Sequence, residues 1–291
     1  MTRLRLATRG SAQATAQSSA VAHALMSAHR GLEVELVLVD TLGDQKADVP
    51  LHTIGGQGVF VKEVQAAVLA GEADIAVHSA KDLPSLPAAG LVLGAYCERR
   101  DPRDALVGRS LADLAPGAIV ATGSVRRRAL LREVRPDLVF VELRGNIGTR
   151  LSKVPPGGAL VMALAALQIL ELTENVSEVL PTSFVPSPGQ GCVAVECRSG
   201  DSVTAELLTA IDHPPTRATV GLERSFLAEL GSGCSLPVAA FADGDLLTGF
   251  LAHPTSGVSV RRTIEVHGTP TQRASQAAEL ARQLRAELEV S

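Results

Sequence analysis

The chain has 291 residues, a net charge of −4, 2% aromatic residues and no Trp, so it offers neither a strongly basic surface nor base-stacking platforms, and nucleic acid is not an expected partner. The length suffices for two domains, with three small ones not excluded. The start, MTRLRLATRGS, lacks an apolar signal core, and the most apolar stretch, residues 159–167, is too short to span a bilayer, which predicts a cytoplasmic protein.

Residues 4–8 alternate as a strand does, and Arg9-Gly10-Ser11 opens an Ala- and Gln-rich helix to about His29, with Ser11 as N-cap. Gly31 ends that helix, and residues 33–39 read as a second strand. Residues 41–58 are polar, Gly-rich and without periodicity, and are expected to be a mobile loop. A helix over 59–70 and a strand over 74–77 follow. Strands and helices that alternate in this way predict a parallel or mixed sheet.

The strand at 74–77 runs into His78, Ser79, Lys81 and Asp82, and Pro84 stops any helix or central strand from continuing. Lys81 and Asp82 are thereby placed on a rigid turn at a strand end, the side of an open α/β sheet where ligands bind. The alternative is a solvated surface turn with a local ion pair.

After a strand at 91–96, the charged run Glu98-Arg99-Arg100-Asp101-Pro102-Arg103-Asp104 is a candidate crossover between lobes. A strand at 118–121 then enters Thr122-Gly123-Ser124-Val125-Arg126-Arg127-Arg128 at a helix start. ATRGS at 7–11 and ATGS at 121–124 both sit where a strand hands over to a helix, which suggests two lobes of similar architecture. A strand at 138–143 ends in RGNIGTRLSKV, with Arg144 just past it and Arg150 on a short helix behind. Arg9, Arg126, Arg127, Arg144 and Arg150 thus all fall just past strand ends, where guanidinium forks and helix N-termini suit carboxylates. Each taken alone is also compatible with a surface arginine.

A strand and helix over 159–170, a Pro/Gly linker at 184–191 and a strand at 192–198 that returns toward the first lobe complete this part. From Pro214 onward a helix at 216–230, short alternating segments over 237–266 and an amphipathic helix at 271–288 form a separate α+β domain. The four cysteines, Cys97, Cys192, Cys197 and Cys234, lack metal-ligand spacing, so neither a zinc site nor a disulfide framework is expected. Three sit in apolar strand patterns, whereas Cys234 lies in a Gly/Ser loop, where a thiol is either reactive and modified or simply buried.

Taken in order, ATRGS, GGQGVFVKE, ADIAVHSAKDLP, ERRDPRDAL, ATGSVRR, LRGNIGTRLSKV, PGQG followed by ECR, and GSGCSLPV resemble the motifs of the porphobilinogen deaminase family over essentially the whole chain. The resemblance implies an α/β fold of two similar lobes of the two-lobed solute-binding (periplasmic-binding-protein-like) type plus a small α+β C-terminal domain. In residue terms lobe 1 would be 1–96 and 190–212, lobe 2 would be 97–189, and the C-terminal domain 213–291. It implies head-to-tail condensation of four porphobilinogen units into hydroxymethylbilane, with release of ammonia, by a cytoplasmic monomer. It also implies a dipyrromethane cofactor, made from substrate and held by a thioether at Cys234.

On the same resemblance Asp82 is the catalytic residue. Cofactor contacts are expected at Lys81, Asp82, Ser124, Arg126, Arg127, Gly145 and Gln190, and substrate contacts at Arg9, Ser11, Phe60, Thr122, Arg144, Arg150 and Gln190. The chemistry suits these residue types. Each porphobilinogen brings an acetate and a propionate, so a growing chain needs arginine forks. Its aminomethyl group is already an ammonium, so loss of ammonia chiefly needs a carboxylate to stabilise the azafulvenium cation, and the same carboxylate could accept the proton lost on bond formation. Four positions depart from the family's usual pattern: Thr53 and Gln57 stand where lysines are usual, Ile169 where an arginine is, and Gly123 where a serine is. The rival readings are a two-lobed module that closes on a carboxylate ligand without reacting, and a degenerate relative that keeps the cofactor but elongates poorly.

Overall fold

The computed structural model of the chain describes residues 2–41, 43, 58, 60–231 and 237–290. Strand β1 (Thr2–Arg9) buries Leu4 and Leu6 and leads to Ser11, whose hydroxyl accepts from the Ala14 N–H and caps α1 (Ala12–Ala28). Strand β2 (Leu32–Val39) then lies parallel to β1, Leu4 opposite Val34. Helix α2 (Lys62–Leu69) precedes β3 (Ile75–Ser79), which is parallel to β1, and β4 (Leu91–Tyr96) follows.

The chain next builds β5 (Asp104–Val107), β6 (Ile119–Ala121), α3 (Val125–Val134), β7 (Val139–Val141), α4 (Ile147–Leu151), β8 (Ala159–Ala163), α5 (Leu164–Ile169) and β9 (Val176–Val179). It returns as β10 (Val193–Arg198), antiparallel to both β3 and β4. Helix α6 (Ser202–Thr209) packs beside it. Strand order is β2-β1-β3-β10-β4 in one sheet and β7-β6-β8-β5-β9 in the other. In each, three parallel strands are followed by one antiparallel strand that arrives straight from the opposite sheet. The two lobes are therefore built alike, and β1 corresponds to β6. The short sequence echo falls at this equivalent place: Ser124 caps α3 by accepting from Arg127 N–H, as Ser11 caps α1.

Two strands were not foreseen. Strand β5 is buried throughout but begins at Asp104 inside a charged run, which hid its four residues, and β9 is a short edge strand that carries Glu178. The remaining predicted elements appear within a few residues of their expected bounds.

The third unit is an antiparallel sheet of β11 (Val238–Asp243), β12 (Leu246–Ala252) and β13 (Ser259–Glu265), covered by α7 (Pro214–Glu229) and α8 (Pro270–Val290). One face of that sheet joins Phe226, Leu247, Leu280 and Leu284 in a core of its own. The other, through Ala239, Phe250 and Ala252, shares a core with Leu106, Val120 and Val161 of the second lobe. Helix α7 also reaches the first lobe, where Val220 packs with Ala80, Leu83 and Tyr96 beneath the turn that follows β3. Among the described residues no helix is long and apolar enough to cross a membrane.

Candidate active site

Strand β3 is buried up to His78 and ends in a single 3-10 turn, Ala80–Asp82. Three anchors fix this turn. Leu83 is buried against α7, the Ala80 N–H donates to Cys192 O at 2.9 Å, and the Arg224 guanidinium of α7 donates to Pro84 O at 2.8 Å. Asp82 is left exposed at the edge of a hollow it shares with Arg9, Ser11, Gln17, Phe60 and Ser79. The Arg9 guanidinium lies 4.1 Å from the Phe60 ring centroid. Gln17 holds Ser79 Oγ at 3.0 Å.

Beneath the turn lies a group that the sequence did not announce. His78 Nε2 is 3.2 Å from Glu196 Oε2, and Gln65 of α2 donates to the same oxygen at 2.8 Å, all three being buried. The available signal was a lone glutamate in the otherwise apolar CVAVECR strand.

The second lobe faces this edge with arginines. Asn146 caps α4 by accepting from Thr149 N–H, which sets Arg150 so that its Nε donates to Gly145 O at 2.7 Å. Burial first, with Arg127, Arg144 and Arg9 adding to it and Asp82 opposing, brings the Arg150 pKa down to about 10. Arg9 and Asp82 of one lobe and Arg127 and Arg144 of the other are thus all near enough to act on Arg150. Arg144 Nε is buried with no hydrogen-bond partner among the described residues, and burial lowers its pKa against the pull of Glu142. A buried unsatisfied donor and a crowd of cations fit a ligand that carries several carboxylates. Dipyrromethane, with its acetates and propionates, is such a group.

Arg126 and Arg127 are deployed differently. Arg126 donates to Asp104 Oδ2 at 2.8 Å and to Val185 O, and Arg127 to Asp104 Oδ1 at 2.7 Å and to Val161 O. Burial disfavours charge on Asp104, yet the two arginines prevail and hold its carboxyl well below the usual range. Their guanidiniums therefore clamp β5, β8 and the 180–192 crossover while adding positive potential to the cleft. Thr122 is buried, its Oγ1 accepting from Ser124 N–H at 3.2 Å.

Lys81 is half-buried and donates to Gln190 Oε1 at 3.1 Å. Burial, then Arg127, pushes its pKa down to about 8, with Asp82 and Asp104 opposing and Arg126 adding slightly. Gln190 is itself buried, and its amide donates to Pro102 O at 2.7 Å and Asp104 Oδ1 at 2.9 Å.

Cys234, Thr53 and Gln57 lie outside the described residues, as does most of the 41–58 stretch. Burial pushes the Cys97 thiol up to about 11, Cys192 up to about 12 and Cys197 upward, so none of these three favours thiolate chemistry near neutral pH. At Gly123 a Cβ would stand 2.6 Å from Glu142 Oε1 and 3.0 Å from Leu143 O, so a serine there requires Glu142, bound to Arg128, to move. Ile169 closes α5. A larger hollow of about 640 Å3 lies between the 98–103 crossover and the β11–β12 hairpin. Of its arginines, Arg99, Arg103 and Arg273 are paired with Glu223, Asp101 and Asp245.

Two like lobes, with Asp82 near arginines drawn from both, give a two-lobed α/β fold whose cleft suits a ligand with several carboxylates. Residues 4–206 match the family model for "Porphobilinogen deaminase, dipyromethane cofactor binding domain", and residues 217–289 that for "Porphobilinogen deaminase, C-terminal domain". The chain belongs to the porphobilinogen deaminase family. A porphobilinogen deaminase of Acidothermus cellulolyticus is 46% identical over 299 residues, 98% of this chain and 88% of the relative. One from Thermobifida fusca is 50% identical over 246 residues, 82% of this chain and 76% of the relative. Among solved structures, a methionine-binding protein, MetQ, aligns with 72% of this chain and 89% of its own at 15% identity, TM-score 0.46. The family is one of transferases that carry a dipyrromethane cofactor.

Proposed function

We propose that, within the condensation of porphobilinogen into hydroxymethylbilane that this family performs, Asp82 is the catalytic carboxylate and Arg9, Arg144 and Arg150 hold the substrate's carboxylates. The observation that carries this reading is the approach of Arg150 to Asp82, Arg9 and Arg144 across the two lobes. Bound dipyrromethane, anchored at Cys234, supplies the primer to which each new unit is joined. Lys81, Ser124, Arg126, Arg127, Gly145 and Gln190 shape its side of the cleft, and Ser11, Phe60 and Thr122 shape the substrate's side.

The substrate's aminomethyl nitrogen departs as ammonia, and the positive charge left on the pyrrole is stabilised by the Asp82 carboxylate at its N–H. The rigid turn holds that carboxylate in place before the charge develops, so little reorganisation is needed. When the new carbon–carbon bond forms, the displaced ring proton passes to Asp82, which is exposed on the cleft side and can release it to water. The arginines leave the forming bond untouched but neutralise each carboxylate added, so that elongation does not build up repulsion.

Residues 1–96 with 190–212, 97–189 and 213–291 are proposed as the three units, in a monomer working in the cytoplasm. Intact-mass spectrometry tests the anchor. The protein purified from cells should exceed its sequence mass by two porphobilinogen units less two ammonias, with the adduct on the Cys234 peptide and resistant to thiol reductants. Cys234→Ser should lack both that mass and activity, and the bare sequence mass in fully active protein would overturn the assignment.

A further inference from the structure

One buried polar network touches every unit of the molecule, and Gln190 is its node. Glu223, on α7 of the C-terminal unit and fully buried, accepts from Arg99 at 2.6 and 3.1 Å, from Gly189 N–H at 2.7 Å and from Ala242 N–H of β11 at 2.9 Å. Arg99, on the first crossover, donates its Nε to the backbone oxygen of Gln190 at 2.8 Å and stacks by Phe241. The Gln190 side chain then joins Asp104 of the second lobe to Lys81 of the first.

The glycines on either side allow this closeness. A Cβ at Gly189, φ +72°, would lie 3.1 Å from Ala80 backbone carbon, and one at Gly191, φ +85°, would lie 2.6 Å from Arg100 O. With both side-chain ends of Gln190 engaged and the residue 1% exposed, it has no donor turned to the open cleft.

We propose that Gln190 is a positioning residue: braced by Asp104 and by the Arg99–Glu223 pair, it holds the Lys81 ammonium beside the Asp82 turn and sets how firmly that amine keeps its proton. This rests on Asp82 being the catalytic carboxylate, because Lys81 sits on the same turn and its ammonium acts on that carboxylate directly. The charged groups that face Lys81 are Asp82 on its own turn, Asp104 on β5, and Arg126 and Arg127 on α3. Burial opposes its charge most, the two cations add to that and the two carboxylates support it, while Gln190 Oε1 is the neutral acceptor the ammonium bonds at 3.1 Å.

The test uses the cofactor-loaded enzyme with Gln190→Leu and Gln190→Glu. Loss of the acceptor should make Lys81 release its proton at lower pH, and a carboxylate in its place should make it release at higher pH, by about one unit or more. The midpoint is read directly from the pH dependence of reductive methylation at Lys81, located by peptide mass, and again from the alkaline limb of kcat. Gln190→Leu should lower kcat about 10-fold or more while KM stays within about 3-fold, and should add nothing further in a Lys81→Met background.

Midpoints that shift in opposite directions in the two variants support the proposal. Unmoved midpoints in both, or a rise in KM with kcat and midpoint unchanged, overturn it and make Gln190 a structural or substrate contact. If Gln190→Leu does not fold, Gln190→Glu alone still decides, because an unmoved Lys81 midpoint sinks the idea. The labelling midpoint does not depend on turnover. A wrong role for Asp82 would therefore show separately, as near wild-type activity in Asp82→Asn.

Discussion

The Arg9 guanidinium and the Phe60 ring are stacked at 4.1 Å across the mouth of the cleft, one at the end of β1 and the other just before α2. The ring fixes the plane of the guanidinium at the rim of the hollow that Asp82 also lines. Phe60→Ala should raise KM about 2- to 5-fold, the equivalent of the roughly 0.5–1 kcal/mol of an exposed cation–π contact, and leave kcat near its original value. Phe60→Tyr, which keeps the ring, should restore KM in steady-state assays.

Asp82→Asn preserves size and the turn but removes the charge that faces the pyrrole. Since Asp82 is exposed, the substitution should leave the thermal midpoint within a degree or two and the cofactor mass intact. Ammonia release in a single turnover should slow by about 100-fold or more, the usual effect of deleting an electrostatic stabiliser. Turnover close to wild type would remove Asp82 from the chemistry.

Lys81 gives a pH signature with a definite sign. Its pKa falls from the ordinary 10.5 to about 8 in the fold. Between those values the unfolded chain holds a proton that the folded chain lacks, so this group makes stability rise with pH from about 8 upward. Below about pH 8 both states are protonated and its cost to folding is constant. Lys81→Met should abolish that alkaline gain in denaturant titrations run between pH 7 and 10, while the activity of the variant collapses. An unchanged pH slope would show that the amine is not held in this unfavourable setting.

Much of this site could be read in the chain because its parts are local. The turn needs only a strand, Ala80 to Asp82 and a proline, and the arginines sit at strand-to-helix handovers that leave their own short-range marks. What could not be read is long-range pairing. Whether Arg126 and Arg127 face ligand or protein depends on Asp104, more than 20 residues earlier and concealed in a charged run. The hub of Glu223, Arg99 and Gln190 spans 124 positions between Arg99 and Glu223. His78 and Glu196 meet only because β10 returns antiparallel to β3 after the whole second lobe. Such contacts are set by topology, and no periodicity encodes them.

Arg150 and Arg144 separate function from stability most sharply. Arg150 is charged in a setting where burial and three neighbouring arginines oppose it, with Asp82 and the Gly145 carbonyl in support, and among the described residues Arg144 leaves a buried donor unmet. Both are costs to the protein without ligand, so Arg150→Leu and Arg144→Leu should fold with a thermal midpoint equal to or above that of the parent. Each carboxylate that arrives offsets the cost, which is why the same substitutions should block cofactor assembly or stop elongation early. Intact-mass spectra after addition of porphobilinogen should then lack the ladder of single-pyrrole steps or stall on its first rungs. Arg150→Lys tests geometry against charge: an ammonium restores the charge but not the two-pronged fork, so it should recover little of the ladder. Full elongation in Arg150→Lys would show that the cleft needs positive potential alone, and full elongation in both leucine variants would return these arginines to the surface.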